Sequence, residues 1–265
     1  MRENLISNQS YKGNWQRILI ATGFNLLFEY SMRGINDLFA RPFLPFFLFM
    51  VYFPYFTILE HCIEKYKMGD VQLLISGFIF GALAAFFIPG GMFAPPLVFG
   101  LNWSLFFLIT LVWWGTLQAV VTFYLARRIV PTRNYTPFLH GKMFWVFFSI
   151  LLVFLCIFRI AIKNAPPVSP AGALIILVLV LVMFVILVKG TPGKTAKFEC
   201  SLLMDIMSAL TVIMFLISTF AFTDKESLGI HMVNTTAVKF VSIWTLILFF
   251  AVWGYRLFSK KPISV

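Results

Sequence analysis

Charged residues are scarce in this sequence. Asp, Glu, Lys and Arg make up 12% of its 265 residues, whereas they make up about a quarter of a typical soluble domain. Hydrophobic residues make up 60%, and the mean hydropathy is +0.91. A chain of this composition cannot hide its apolar side chains in one water-soluble core. The composition therefore excludes a soluble globular protein and predicts an all-α, polytopic bundle of transmembrane helices.

Cysteine, histidine and the common catalytic motifs are equally sparse. The three cysteines include no CxxC pair, which excludes a disulfide framework and a cysteine metal site. The three histidines fall at the ends of apolar runs or between them, so paired haem ligands are not expected. The sequence has no Walker A, HExxH or GxSxG motif. These absences leave no residue to assign as catalytic, cofactor-binding or metal-binding.

Long apolar runs are what the sequence has in abundance. Seven of them are long enough to cross a hydrocarbon core of about 30 Å as helices. They cover residues 43–63, 71–93, 101–126, 143–162, 171–188, 199–222 and 235–258. We therefore divide the chain into a polar N-terminus with an amphipathic helix (1–42), a transmembrane bundle (43–258) and a basic tail (259–265).

Residues 15–41 form the segment that hydropathy alone does not place. Thr22, Asn25, Glu29 and Arg33 recur every three or four residues among apolar neighbours, which predicts an amphipathic helix. Such a helix could lie on the membrane surface, be embedded in the bundle or make an eighth crossing. Glu29 opposes insertion, because a carboxylate near a helix centre costs about 2–3 kcal/mol and each apolar residue returns only about 0.3–0.6 kcal/mol.

The basic residues predict the orientation of the bundle. The net charge of +11 indicates Lys and Arg in loops beside the spans rather than a nucleic-acid partner. With seven spans, 12 basic residues lie on one side and 4 on the other, leaving aside residues 1–41. The richer side, which includes the C-terminus, is expected to be cytoplasmic. A surface-lying segment 15–41 would change the split to 12 against 9 and a crossing to 15 against 6, so the charge distribution favours a crossing.

The compact chain and the lack of a targeting signal lead us to expect the bacterial inner (cytoplasmic) membrane. The lipid bilayer is the expected surrounding of the spans.

Ionisable and amide side chains within the apolar runs are the candidates for a polar pathway, because such groups are costly in hydrocarbon and often functional. The candidates are Asp205, Glu199, Gln118, Glu29 and Arg33. Each has a structural alternative. Asp205 could pair with a basic residue at a span end, Gln118 could hydrogen-bond between helices, and Glu29–Arg33 could be a local i,i+4 pair.

A second charged group, Glu60, His61 and Glu64, ends the first apolar run. Glu60 and Glu64 share a helix face, so the group could serve acid–base chemistry or hold a divalent metal. We interpret it instead as a solvated cluster at the membrane interface.

Small residues predict one tight helix contact. Gly77, Gly81 and Ala85 are spaced four apart, which leaves one helix face nearly bare and permits close approach of a second helix. The connection Pro89–Gly100 that follows has no charge. It could form a tight turn or a re-entrant loop.

Three functions remain open. The first is a non-catalytic integral subunit of a larger membrane assembly, whose partners would be other membrane-protein subunits or a second copy of the chain. The second is a transporter or channel with a polar path that includes Asp205. The third is a membrane-embedded enzyme acting on a lipid, with Glu60, His61 and Glu64 as its acid–base groups.

Overall fold

The structure is a computed structural model, and it describes residues 2–87, 91–131, 139–161, 166–190, 201–223, 226–228 and 231–259. The helices are α1 (Arg2–Arg33), α2 (Asn36–Ala40), α3 (Leu44–Tyr66), α4 (Asp70–Phe87), α5 (Trp103–Phe107), α6 (Thr122–Ile129), α7 (Met143–Ala161), α8 (Pro170–Lys189), α9 (Leu202–Ala221) and α10 (Thr235–Ser259). A π-helix (Leu108–Val121) joins α5 to α6. The continuous helix Trp103–Ile129 is called the third span below.

Two short strands, β1 (Glu226–Leu228) and β2 (His231–Val233), pair antiparallel between α9 and α10. The sequence pattern did not predict them, because three residues are too few to show a clear alternation.

Seven helices in the described part of the chain are long and apolar enough to cross a membrane. They are α3, α4, the third span, α7, α8, α9 and α10. Each corresponds to one of the seven apolar runs, so the all-α transmembrane bundle predicted from the sequence is confirmed. The protein is an integral membrane protein.

Helix α1 lies inside this bundle, packed against α3, α6, α9 and α10. Its residues Ile18, Ala21 and Phe28 are fully buried in the main hydrophobic core. The polar residues Thr22 and Asn25 of its stripe are also fully buried. This packing decides against a helix that rests on the membrane surface.

Two sets of contacts give the direction of α1. Midway along the helix, Arg17 contacts Glu60 close to the end of α3. Near its end, the carbonyl of Met32 accepts a hydrogen bond from the backbone of Asn234, which immediately precedes α10. We name the two ends of the bundle the Glu60 end and the Asn234 end. Helix α1 runs from the first to the second, antiparallel to α3.

The glycines of α4 lie against the third span. A Cβ atom added to Gly77 would lie 2.3 Å from the carbonyl oxygen of Trp114, and one added to Gly81 would lie 2.6 Å from the Trp114 ring. The two helices therefore approach each other as closely as the small residues allow. Ala85 is buried one turn further along, in a second apolar cluster with Phe106.

The described part of the connection after α4 forms a compact turn. A 3₁₀ turn at Gly91–Phe93 buries Met92, and the backbone of Asn102 donates a hydrogen bond to the Met92 carbonyl. The Asn102 side chain then caps α5 by accepting from the backbone of Leu105. These bonds close the described part of the connection into a compact loop.

Helices α7 and α8 form the outside of the bundle. Only 11% of the most apolar stretch of each is buried inside the protein, against 67% for the third span. Helix α7 packs mainly on α3, and α8 packs on α4. Because their remaining faces are apolar and exposed, these two helices meet lipid or another protein in the membrane.

Candidate functional site: a buried polar line along α1

Four charged side chains meet at the Glu60 end of the bundle. Arg17 Nε lies 2.7 Å from Glu60 Oε1, and Arg17 Nη2 lies 3.4 Å from Glu64 Oε1. Arg127 Nη2 lies 3.6 Å from the same Glu64 oxygen. All four side chains are at most 2% exposed. We call Arg17, Glu60, Glu64 and Arg127 the charge cluster.

The helices place this cluster by simple spacing. Glu60 and Glu64 are one turn apart on α3, so both carboxylates point to the same neighbours. Arg17 comes from α1, where it also donates a hydrogen bond to Asn14 Oδ1. Arg127 comes from the last turn of α6. Two positive and two negative charges balance, which is the condition under which ions can remain buried.

This cluster corrects the sequence-based interpretation of Glu60, His61 and Glu64 as a solvated group. Both glutamates are buried, because two arginines from distant parts of the sequence cover them. The Nδ1 atom of His61 accepts a hydrogen bond from the backbone of Leu139. In the described chain, no group of three His, Cys, Asp or Glu residues is arranged to hold a metal.

Sequence reasoning missed Arg17 and Arg127. In the sequence, both resemble ordinary basic residues that flank a span. The signal that could have found Arg17 is its spacing, since it lies eight residues, or about two helical turns, before Asn25 on the polar stripe. Nothing in the sequence distinguishes Arg127, which is buried, from its neighbour Arg128, which is half exposed.

A second polar group lies deeper in the bundle. The hydroxyl of Tyr52 on α3 donates to Glu29 Oε1, while Arg33 donates to Glu29 Oε2 at 3.3 Å from both Nε and Nη2. The Glu29–Arg33 pair predicted from the sequence is therefore present, and its side chains are 12% exposed. A local pair has become part of an interhelical contact, because the Tyr52 hydroxyl joins α3 to α1.

Asn25 connects α1 to the third span. Its amide nitrogen donates to the Ala21 carbonyl at 2.9 Å and to the Thr122 hydroxyl at 3.4 Å. Its Oδ1 atom is buried and has no hydrogen-bond partner among the residues that the structure describes. Because an unsatisfied buried acceptor costs about 1–3 kcal/mol, this oxygen is unusual for a folded core.

Gln118 lies level with Glu29 on the opposite helix. The Arg17 side chain contacts the carbonyl of Val130, and the Asn25 side chain contacts Thr122. Moving eight residues forward along α1 therefore corresponds to moving eight residues backward along the third span. Continuing this antiparallel register by one turn brings Glu29 opposite Gln118. The Gln118 side chain also lies near the Tyr52 hydroxyl, as a weak hydrogen-bonding neighbour beyond the normal hydrogen-bond distance.

The Gln118 side chain is fully buried, and neither its oxygen nor its nitrogen has a hydrogen-bond partner in the described structure. A carboxamide can donate two hydrogen bonds and accept two. The interhelical hydrogen bond that would explain this residue structurally is therefore at most a weak contact with the Tyr52 hydroxyl.

The backbone beside Gln118 is π-helical over Leu108–Val121. The hydroxyls of Thr116 and Thr122 donate to carbonyls five residues earlier, at 2.9 Å each. The Trp253 indole of α10 donates to the Thr116 hydroxyl at 2.8 Å. π-helical segments are rare and are frequently found at functional sites.

Asp205 belongs to a different contact. It accepts hydrogen bonds from the Tyr124 hydroxyl at 2.7 Å and from Arg128 Nε at 3.0 Å. The carboxylate is 30% exposed and Arg128 is 50% exposed. This is the ion pair at a span end that the structural alternative describes, and the structure does not bring Asp205 to Glu29 or Gln118. Glu199 lies outside the described residues.

Together these contacts define one polar line along α1. It consists of separate groups at successive positions along the helix: the charge cluster, then Asn25 with Thr122, then Gln118, Tyr52, Glu29 and Arg33. From Arg17 to Arg33 the helix rises about 24 Å, at 1.5 Å per residue. The line therefore covers most of the thickness of a hydrocarbon core, which is about 30 Å.

The fold and this line define a polytopic membrane protein whose most polar helix lies in its interior. Comparisons of the chain with protein-family models, curated proteins and solved structures found no match. The function is therefore argued from the geometry.

Proposed function

We propose that this protein transports protons across the membrane, along the buried polar line beside α1. The observation that carries the proposal is the alignment of ionisable and amide side chains over the depth of the bundle. Ionisable residues inside spans are rare because they are costly, and in pumps and transporters they form proton relays. Here they occur on three neighbouring helices rather than at one isolated point.

The chemistry of the line suits protons better than a larger solute. Glu60 and Glu64 are carboxylates that can accept a proton at one end, and Glu29 is a carboxylate at the other. The groups between them are hydroxyls and carboxamides, which can donate and accept hydrogen bonds. These side chains are buried, apart from the Glu29–Arg33 pair, which is 12% exposed. Proton transfer needs only a connected chain of such groups.

The orientation belongs to the same proposal. If α1 crosses the membrane, the Glu60 end carries 15 of the 21 basic residues by the sequence count. This end would face the cytoplasm, together with the C-terminus. The bacterial inner membrane is the proposed location, because a proton gradient across it would drive the transport.

The experiment is a proton-flux assay with the purified protein in liposomes. A potassium gradient with valinomycin sets the membrane potential, and a pH-sensitive dye enclosed in the liposomes reports proton entry. Glu29→Gln keeps the size of the side chain and can still accept from Tyr52, but it removes the titratable group. We expect this variant to lose at least about tenfold in rate, as for removal of a proton-transfer group.

Asp205→Asn is the matched control, because it also removes a carboxylate but at the separate contact with Tyr124 and Arg128. It should retain the wild-type rate. Wild-type protein that conducts no faster than empty liposomes would refute the proposed function. Equal loss in both variants would refute the path along α1.

A membrane-assembly subunit is the second candidate, and the exposed apolar sides of α7 and α8 support it. Its partners would be other membrane-protein subunits or a second copy of the chain. Mild solubilisation followed by affinity purification tests it. Stoichiometric partners would support this role, and a stable isolated monomer would oppose it.

No observation supports the lipid enzyme, because Glu60 and Glu64 are buried in ion pairs away from the lipid.

A further inference from the structure

Two buried carboxamides, one on α1 and one on the third span about one turn from Thr122, have incomplete hydrogen bonds. Among the described residues, Gln118 has no partner at normal hydrogen-bond distance for its oxygen or its nitrogen, and Asn25 has none for its oxygen. Both side chains are fully buried. These are three polar atoms from two helices, at neighbouring depths in the bundle, and in a closely packed interior such groups are normally satisfied.

We propose that Asn25 and Gln118 bind internal water in the middle of the bundle, and that this water connects the Tyr52–Glu29 pair to the Asn25–Thr122 pair. The ligand is small and neutral and both donates and accepts hydrogen bonds. Gln118 offers the water a donor and an acceptor, Asn25 offers an acceptor, and the Tyr52 and Thr122 hydroxyls lie at the two sides. Buried water typically makes two to four such bonds.

The charges around the site favour water over a cation. Glu29 is the nearest carboxylate, and both of its oxygens are already engaged, one by Tyr52 and the other by Arg33. The positive charge of Arg33 balances the negative charge of Glu29. A bound cation would therefore add an uncompensated charge to a buried site. A water molecule satisfies the orphaned amides without adding charge.

The role of the water in a relay rests on the proposed proton transport, whereas its binding does not. In each step, a proton binds to a lone pair of the water oxygen, one O–H bond on the opposite side breaks, and that proton passes to the next acceptor. The water keeps its atoms and only its orientation changes. Gln118 loses no proton and acts as a positioning residue, because its amide holds the water between the two pairs.

The binding can be measured directly by solid-state NMR in lipid bilayers. The chain has only four glutamines, Gln9, Gln16, Gln72 and Gln118, so side-chain ¹⁵N labelling of glutamine gives a simple spectrum. The signal that disappears in Gln118→Met identifies Gln118. Magnetisation is then transferred from water protons to the labelled amides. We expect the buried Gln118 amide to receive it at a rate close to that of the exposed Gln16.

A transfer to Gln118 at least about tenfold slower than the transfer to Gln16 would show a dry site and overturn the inference. Gln72→Met is the matched control, because the Gln72 amide binds the Gly190 carbonyl outside the core. It should leave the Gln118 signal and its rate unchanged.

The flux assay separates this inference from the proposed function. Both the bound water and the proton transport would be supported by two results together. The first is fast water transfer to Gln118 in the wild type. The second is a flux at least about tenfold slower in Gln118→Met, with the flux of Gln72→Met unchanged. A wet site in a protein that conducts no protons would retain the water and refute the transport. A dry site in a conducting protein would refute the water and retain the transport. A wet site with full flux in a folded Gln118→Met variant would overturn the positioning role.

Discussion

Arg17 of α1 and Glu60 of α3 form an ion pair of 2.7 Å although 43 residues separate them in the chain. Neither side chain is more than 2% exposed. The pair fixes where along their lengths α1 and α3 contact each other. It joins α1, which has a polar stripe, to α3, which is long and apolar enough to cross a membrane. Glu64 and Arg127 complete its surroundings and balance the charge.

Breaking this pair on one side should destabilise the protein strongly. Glu60→Gln leaves the Arg17 guanidinium buried without its main counter-ion, and we expect a loss of about 3–5 kcal/mol in the free energy of unfolding. The double variant Arg17→Met with Glu60→Met should lose less than Glu60→Gln alone, because no uncompensated charge of that pair remains. Denaturant unfolding in detergent micelles measures both.

Arg128→Gln is the control for the charge cluster. It removes an arginine one residue from Arg127, but Arg128 is half exposed in its pair with Asp205. An exposed pair contributes about 1 kcal/mol or less. Similar losses in Arg128→Gln and Glu60→Gln would contradict the special position of the charge cluster.

Helix α1 should cross the membrane. Lys12 and Asn36 lie at opposite ends of the polar line and are both exposed. After replacement of the three native cysteines by serine, Lys12→Cys and Asn36→Cys should react with a membrane-impermeant maleimide from opposite sides. Labelling of intact and permeabilised cells makes the distinction. Reaction of both positions from the same side would exclude the crossing.

Gly77→Ala should disturb the contact between α4 and the third span. The added methyl group would lie 2.3 Å from a backbone oxygen of Trp114, and a backbone cannot move away as a flexible side chain can. We expect a loss of about 1–3 kcal/mol from overpacking. Gly23→Ala is the matched control, since no atom lies within 4 Å of its added Cβ.

The control substitution should be neutral or stabilise the protein by up to about 1 kcal/mol, because alanine favours a helix over glycine. Thermal unfolding of the two variants in the same detergent gives the comparison. A stable Gly77→Ala variant would show that the helices are less tightly packed than the contact distances indicate.

Tyr52→Phe should affect both stability and flux. It removes the hydroxyl that donates to Glu29, so a buried carboxylate loses a partner at a cost of about 1–3 kcal/mol. It also interrupts the polar line, and proton flux should fall. Tyr55→Phe is the matched control, because Tyr55 is buried one turn away and its hydroxyl has no hydrogen-bond partner in the described part of the chain. That control should keep its stability and its flux, and a loss of flux in it would contradict the assigned line.

The sequence identified parts of the candidate site without their arrangement. Glu29, Arg33 and Gln118 stand out because polar side chains within apolar segments are costly. Their common neighbour Tyr52 does not, since a tyrosine in an apolar run is usually explained by packing or by the membrane interface. Asp205 also stands out from the sequence, although it lies in a separate and partly exposed ion pair.

The seven transmembrane helices were determined by the sequence itself, because the length and hydropathy of a span are local properties. The close approach at Gly77 was likewise visible in the four-residue spacing. Only the tertiary structure decided the place of α1. The cost of burying Arg17 depends on Glu60 and Glu64, and that of burying Glu29 depends on Tyr52. These partners lie 23 to 47 residues away in the chain. The hydropathy and charge of α1 alone therefore could not predict that the helix is buried.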